Sequence, residues 1–260
     1  MKLHVEDYGG SGMPLLFIHG WGMHGGMWGD VLLELAQQFR VLTVDLPGHG
    51  WSMPESGVEL SSFTPDSFVD QLSSQFSGSL NICGWSLGGQ LALRWAMRYP
   101  QQVNRLILVS STPCFVQQAD WSCAMAPDTL AAFSAALQDD YAATLRRFLA
   151  LQVRASEQER ALLLTLRRSL ASRGEPQLSA LQAGLAILRD CDLRAALPEI
   201  CHKTLVIAGV RDTLTPLPAA QYLAENLPNA RLEAISGAAH APFLSHPEIF
   251  VNKVVDFLHE

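Results

Sequence analysis

Short apolar runs alternate with amphipathic ones through the first 110 residues of the chain. Leu15–Ile18, Val41–Val44, Leu80–Cys83 and Leu106–Val109 are each bounded by glycine, proline or polar residues, as short strands are. Their apolar character is largely continuous, which suits parallel strands buried on both faces. Helical patterns fill the gaps, at 28–38, 64–77 and 88–99. After residue 200 the rhythm resumes, with strands at Thr204–Ala208 and Arg231–Ser236 and helices at 217–227 and 247–258. Pro247 fits the first turn of that last helix, where its missing N–H costs nothing. The alternation predicts an α/β fold, a parallel sheet with helices on both faces.

Residues 113–195 break the rhythm. The patterns there are all helical: Asp128 as a cap for a helix through Leu137, a second helix at Tyr141–Gln152, and a third reaching Leu170. The third is expected to open on a capping box, Ser156-x-x-Glu159. The organisation read from this is a core domain of residues 1–112 and 196–260 with an all-helical lid, 113–195, inserted. The insertion leaves the end of the Leu106–Val109 strand, at the sheet edge where open α/β folds bind ligands.

Composition narrows the classes. A net charge of −7 argues against nucleic acid as a partner. The chain has five scattered cysteines with no C-x-x-C pair, which reads as reduced thiols. The N-terminus has no apolar leader and no run reaches the ~20 residues of a membrane span, so a soluble cytoplasmic protein is expected. Charge is uneven, however. Residues 144–173 hold seven arginines (146, 147, 154, 160, 167, 168, 173) against two glutamates. Such a run is either a solvated helix face or a docking surface for an acidic macromolecule.

The chemistry centres on Gly84-Trp85-Ser86-Leu87-Gly88, a G-x-S-x-G between an apolar run and an amphipathic one. A serine on a sharp strand-to-helix turn projects its hydroxyl as a nucleophile. A chain of this length shows the pattern by chance roughly one time in ten, so a base and an acid are needed beside it. On a doubly wound sheet these follow the serine, on loops after later strands. His240 directly follows the last strand, and Asp212 is the sole carboxylate between Thr204–Ala208 and the next helix. An aspartate there also suits a turn or N-cap. His202 falls on the wrong edge, His246 at a helix start, and His4 and His259 near the termini. His19, His24 and His49 occupy upstream loops that can approach the site. For the oxyanion, the expected donors are the backbone N–H groups of Leu87 and of Trp21 in His19-Gly20-Trp21-Gly22. The Trp21 indole could equally wall an acyl pocket.

The order His19-Gly20-Trp21-Gly22, Asp45-Leu46-Pro47-Gly48-His49-Gly50, Gly84–Gly89, Asp212 with Pro216, and His240 with Pro242 and Pro247 resembles the α/β-hydrolase superfamily over nearly the full chain. That implies a mostly parallel sheet of about seven strands, a Ser86–His240–Asp212 triad, and a structural role for Asp45–Gly50. Ser111-Thr112-Pro113-Cys114-Phe115, Arg147–Gln152 and Ala238–Pro247 further resemble the pimeloyl-[acyl-carrier protein] methyl ester esterase family of biotin synthesis. The resemblance implies a serine carboxylesterase without cofactor or metal, acting on an acidic acyl carrier protein; a monomer is expected. It places substrate against Trp21, Ser86, Leu87, His240 and the segment Phe148, Leu149, Ala150, Leu151 and Gln152. Arg147, with Arg154 and Arg160, becomes a candidate for docking the carrier. A generalist esterase, a carbon–carbon bond hydrolase and a non-catalytic binding protein of the same fold are the alternatives.

Overall fold

The computed structural model describes residues 1–54, 60 and 63–260. Seven strands form one sheet: β1 (Val5–Gly9), β2 (Pro14–Ile18), β3 (Arg40–Val44), β4 (Leu80–Trp85), β5 (Val103–Val109), β6 (Lys203–Gly209) and β7 (Ala230–Ile235). Their order is β1-β3-β2-β4-β5-β6-β7, with β1 antiparallel and the rest parallel. The predicted runs are all strands, and β4 extends two residues further, to Trp85. Every residue of β4 is buried, as its continuous apolar run requires. From β2 the chain turns to β3 on one side, while β4 lies on the other. The order therefore reverses beside β2, and the loops after β2 and β4 open together at the carboxyl edge, where such sheets bind ligands.

Helices α1 (Val31–Leu35), α2 (Pro65–Ser73) and α3 (Leu87–Arg98) belong to the first half. The 28–38 prediction is too long. Gly25–Trp28 forms a separate 3-10 turn ending on Gly29, whose φ of +71° does not continue a right-handed helix. Thr64 and Ser67 make a reciprocal capping box that starts α2, with Pro65 in its first turn.

Four helices lie between β5 and β6: α4 (Pro127–Asp139), α5 (Tyr141–Val153), α6 (Glu159–Ser172) and α7 (Leu178–Asp190). Three isolated bridges occur in this stretch but no strand among the described residues. Leu193 N–H bonds Pro113 O at 2.9 Å, tying the two stems of the insertion together. The Ser156 capping box does not form. Gln158 is the N-cap, Ser156 Oγ is buried without a partner among the described residues, and the Glu159 carboxylate accepts from Ala155 N–H at 3.0 Å. Asp128 lies inside the first turn of α4, not at its cap, so its charge acts on the helix dipole instead.

The chain closes with α8 (Leu217–Asn226), α9 (Pro242–Ser245) and α10 (Pro247–His259). At the carboxyl end of the central strand β4, Trp28, Trp85, Phe243 and Phe250 form a buried aromatic cluster, with Trp28 and Trp85 rings 4.5 and 4.9 Å from Phe243. Trp85 Nε1–H donates to His240 O at 2.8 Å, so this cluster fixes the histidine loop to the end of β4.

Candidate active site

Ser86 lies between β4 and α3 with φ 55° and ψ −116°, a backbone conformation that costs of order 1–3 kcal/mol outside glycine. The surroundings hold it there. Ser86 N–H donates to Val109 O and Ser111 Oγ–H donates to Ser86 O, both at 2.9 Å. The flanking glycines answer to space: a β-carbon on Gly88 would sit 2.3 Å from Ile18 O, and one on Gly84 2.4 Å from Gly88 O. The G-x-S-x-G spacing thus lets α3 start directly against the end of β2. A β-carbon on Gly20 would lie 3.3 Å from Ser86 Cβ, which puts the Trp21 loop against the serine. Among the described residues, neither Trp21 nor Leu87 N–H has a protein acceptor. Free N–H groups are what a helix start offers to developing negative charge.

Asp212 and His240 meet in the interior, their side chains essentially inaccessible, with Nδ1 2.7 Å from Asp212 Oδ2. The carboxylate also accepts from Leu214 N–H (2.8 Å), Thr215 N–H (3.0 Å) and Thr215 Oγ1–H (2.8 Å). Asp212 therefore caps its own turn and pairs with the histidine at once. An acceptor at Nδ1 fixes the tautomer and leaves Nε2 as the acceptor. Among the described residues His240 Nε2 is buried with no partner, and no hydrogen bond from Ser86 Oγ reaches it. Such contacts tighten when substrate binds.

The upstream histidines are occupied elsewhere. His19 donates from Nδ1 to Gly20 O and accepts Leu46 N–H at Nε2, joining two loops. Burial pushes its pKa down to about 3, and that of His49 to about 4, so both are neutral. His24 donates from Nε2 to Ser169 O. His202 lies before β6, bonded to Pro100 O, and His246 stands at the N-cap position of α10 with its Nδ1 bonded to Ser245 Oγ.

An apolar cavity of ≈ 60 Å³ lies under the inserted helices, lined by Trp21, Phe133, Phe148, Leu151, Leu185, Leu214 and their neighbours. Trp21 Nε1–H donates to Leu181 O on α7, and its ring packs edge-on against Phe148 at 4.6 Å. Of the Phe148–Gln152 segment, Phe148 and Leu151 line this cavity; Leu149, Ala150 and Gln152 do not. Gln152 instead meets the histidine loop, its main-chain carbonyl accepting His240 N–H at 3.1 Å. A wider groove between α4 and α7 shares Leu130 and Leu185 with the cavity. Met125, Phe133, Leu185, Leu188 and Leu214 have no local sequence signal, since they come from four separate segments. Thr215 has one, the Asp-x-x-Thr spacing of a side-chain-capped turn.

Arg146, Arg147, Arg154, Arg160, Arg167 and Arg168 are exposed on and after α5 and on α6. Among the described residues none of them pairs with a carboxylate. Arg173, counted with them from sequence, is not on that surface. It is buried, 3.1 Å from Asp45 and paired also with Glu6, with its guanidinium 4.3 Å from the Trp51 ring centre. Asp45 further accepts Gly25 and Trp51 N–H at 2.6 and 2.9 Å, so the Asp45–Gly50 loop is structural. Among the described residues no group of three or more potential metal ligands occurs, and no helix is long and apolar enough to cross a membrane.

Residues 13–247 match the family model of the alpha/beta hydrolase fold. A pimeloyl-[acyl-carrier protein] methyl ester esterase from Nitrosomonas europaea is 44% identical over 251 residues, covering 96% of this chain and 97% of its own. One of the same name from Nitrosospira multiformis is 40% identical over 260 residues, 99% and 98% of the two chains. Among solved structures, an esterase from Exiguobacterium antarcticum superposes with a TM-score of 0.86 at 25% identity, over 99% of this chain and 96% of that one. The chain belongs to the α/β-hydrolase fold family, and within it to the pimeloyl-[acyl-carrier protein] methyl ester esterases.

Proposed function

We propose that this protein hydrolyses the ω-methyl ester of a pimeloyl chain borne on an acyl carrier protein, giving the free acid and methanol. The observation that carries the reading is the buried Asp212–His240 pair, with an unpartnered Nε2, on the loop edge that holds Ser86. Ser86 Oγ attacks the ester carbonyl as its proton passes to His240 Nε2. The Trp21 and Leu87 N–H groups receive the oxyanion. The tetrahedral intermediate collapses, the methoxy oxygen takes the proton from Nε2, and methanol leaves. Water then attacks the acyl-enzyme, gives its proton to Nε2, and the acid departs as Ser86 regains its hydrogen. No metal or cofactor takes part.

We assign residues 1–112 and 196–260 to the catalytic core and 113–195 to a lid. Trp21, Phe148 and Leu151 contact the acyl chain in the cavity. Leu149 and Ala150 back that wall and Gln152 secures its end. The cavity is far below the ~300 Å³ of a filled ligand pocket, so substrate entry requires the lid side chains to part. The α4–α7 groove offers the carrier's arm a route to the surface. Five free cysteines support a reducing cytoplasmic setting, where the protein acts as a monomer without nucleic acid or membrane.

Methyl pimeloyl-carrier protein should be hydrolysed with a far higher kcat/KM than short p-nitrophenyl esters. A preference for the short esters would replace this reading with a generalist esterase. We also assign Arg147, Arg154 and Arg160 to docking the acidic carrier. Reversing Arg147 and Arg160 to glutamate is expected to raise KM for the carrier-borne substrate about tenfold at low salt, less at high salt, and to spare small esters. Equal effects on both substrates would sink the docking assignment.

A further inference from the structure

Thr215 Oγ1 lies 2.8 Å from Asp212 Oδ2 and 3.3 Å from His240 Nδ1, and the residue is 2% exposed. The ring directs its own hydrogen at Oδ2, so the hydroxyl proton also goes to that oxygen. The two oxygens of the carboxylate are held differently. Oδ1 is pinned by two main-chain N–H groups, whereas among the described residues Oδ2 has Thr215 and His240 alone. Pinned at one end, the carboxylate can still swing, and the hydroxyl supplies the second fixed point.

We propose that Thr215 is a positioning residue for the Asp212–His240 pair. Its hydroxyl keeps Oδ2 aligned with Nδ1 and takes a share of the charge that would otherwise fall wholly on the ring. The inference rests on the Ser86–His240–Asp212 reading above. Other charges on the elements packed against the ring are directed elsewhere. Arg211, beside Asp212, bonds Glu157 and Ala155 O. Arg154, past the end of α5, is exposed, and His246 is bonded to Ser245 Oγ through Nδ1.

Thr215→Val keeps the shape and removes the hydroxyl. With p-nitrophenyl butyrate, kcat should fall about tenfold with KM within twofold of the parent, the scale of one lost bond to a charged group. Oδ2 then has one donor fewer and holds the protonated ring more firmly. The acid limb of kcat/KM therefore moves to higher pH, by roughly half a unit. Thr215→Ser should restore both rate and profile. Parent-like kinetics in Thr215→Val overturn the proposal, as does Thr215→Ser no better than Thr215→Val, which would assign the effect to the methyl group. Ser86→Ala serves as control: if it retains hydrolysis, the triad itself fails, and if it is inactive while Thr215→Val is unimpaired, the Thr215 role alone fails.

Discussion

Replacing Ser86 with alanine is expected to lower ester turnover by about 10⁴-fold or more and to leave the melting temperature where it was. The two halves of this expectation have separate grounds. Chemistry is lost because no other hydroxyl stands on the turn between β4 and α3. The fold is kept because Ser86 is held by its main-chain N–H and C=O, which alanine retains. Alanine also meets the same positive φ at about the same cost, so neither strain nor packing changes. Hydrolysis of p-nitrophenyl butyrate, read beside a thermal melt, checks both. Covalent labelling by a fluorophosphonate should disappear with the activity. Turnover within tenfold of the parent would remove Ser86 from the chemistry, and loss of folding would mean that the hydroxyl is structural.

The second large effect concerns stability. Arg173→Ala is expected to cost about 3 kcal/mol, because it leaves Asp45 as a buried charge without its cation. Asp45 keeps the Gly25 and Trp51 N–H bonds, which places the cost at the low end for a broken buried pair. For a chain of this size the melting temperature should drop by roughly 6–12 °C. Burial alone would raise the Asp45 pKa, yet it is held below its ordinary value of 3.8. The neighbouring His19, which gains its charge in the same acid range, lowers it most, followed by the Trp51 and Gly25 N–H donors and the Arg173 guanidinium. A carboxyl lowered in the fold favours folding above its ordinary pKa, and that contribution fades as pH falls through the folded value. The gap between parent and variant should therefore be full at pH 7 and narrow below about pH 4. Equal melting temperatures at pH 7 would refute the buried pair.

Much of this molecule is legible in the order of its residues, for local reasons. The continuous apolar runs name the strands, and the loops that follow them place Ser86, Asp212 and His240 at one edge. What escapes is whatever depends on residues distant in sequence. Arg173 reads as one more member of a basic run, and only the approach of Glu6 and Asp45, on β1 and after β3, makes it a buried anchor. The Ser156–Glu159 spacing reads as a capping box, but the N-cap falls two residues later, at Gln158, and Glu159 reaches back to Ala155. Phe133, Leu185 and Leu214 look like ordinary core positions in their own segments, and become a cavity wall by convergence.

The bond from His240 N–H to Gln152 O means that α5 ends on the histidine's own backbone. Neighbouring helices are moored too, α6 through Ser169 O and His24, α7 through Leu181 O and the Trp21 indole. Among the described residues α4 has no main-chain hydrogen bond to the core and meets it through side chains such as Phe133 on Trp21. The enzyme thus separates what must be invariant from what can drift. On the proposed acyl site, substitutions at Thr129 or Leu130 are expected to change which chain length fits while the bond from His240 N–H to Gln152 O stays in place.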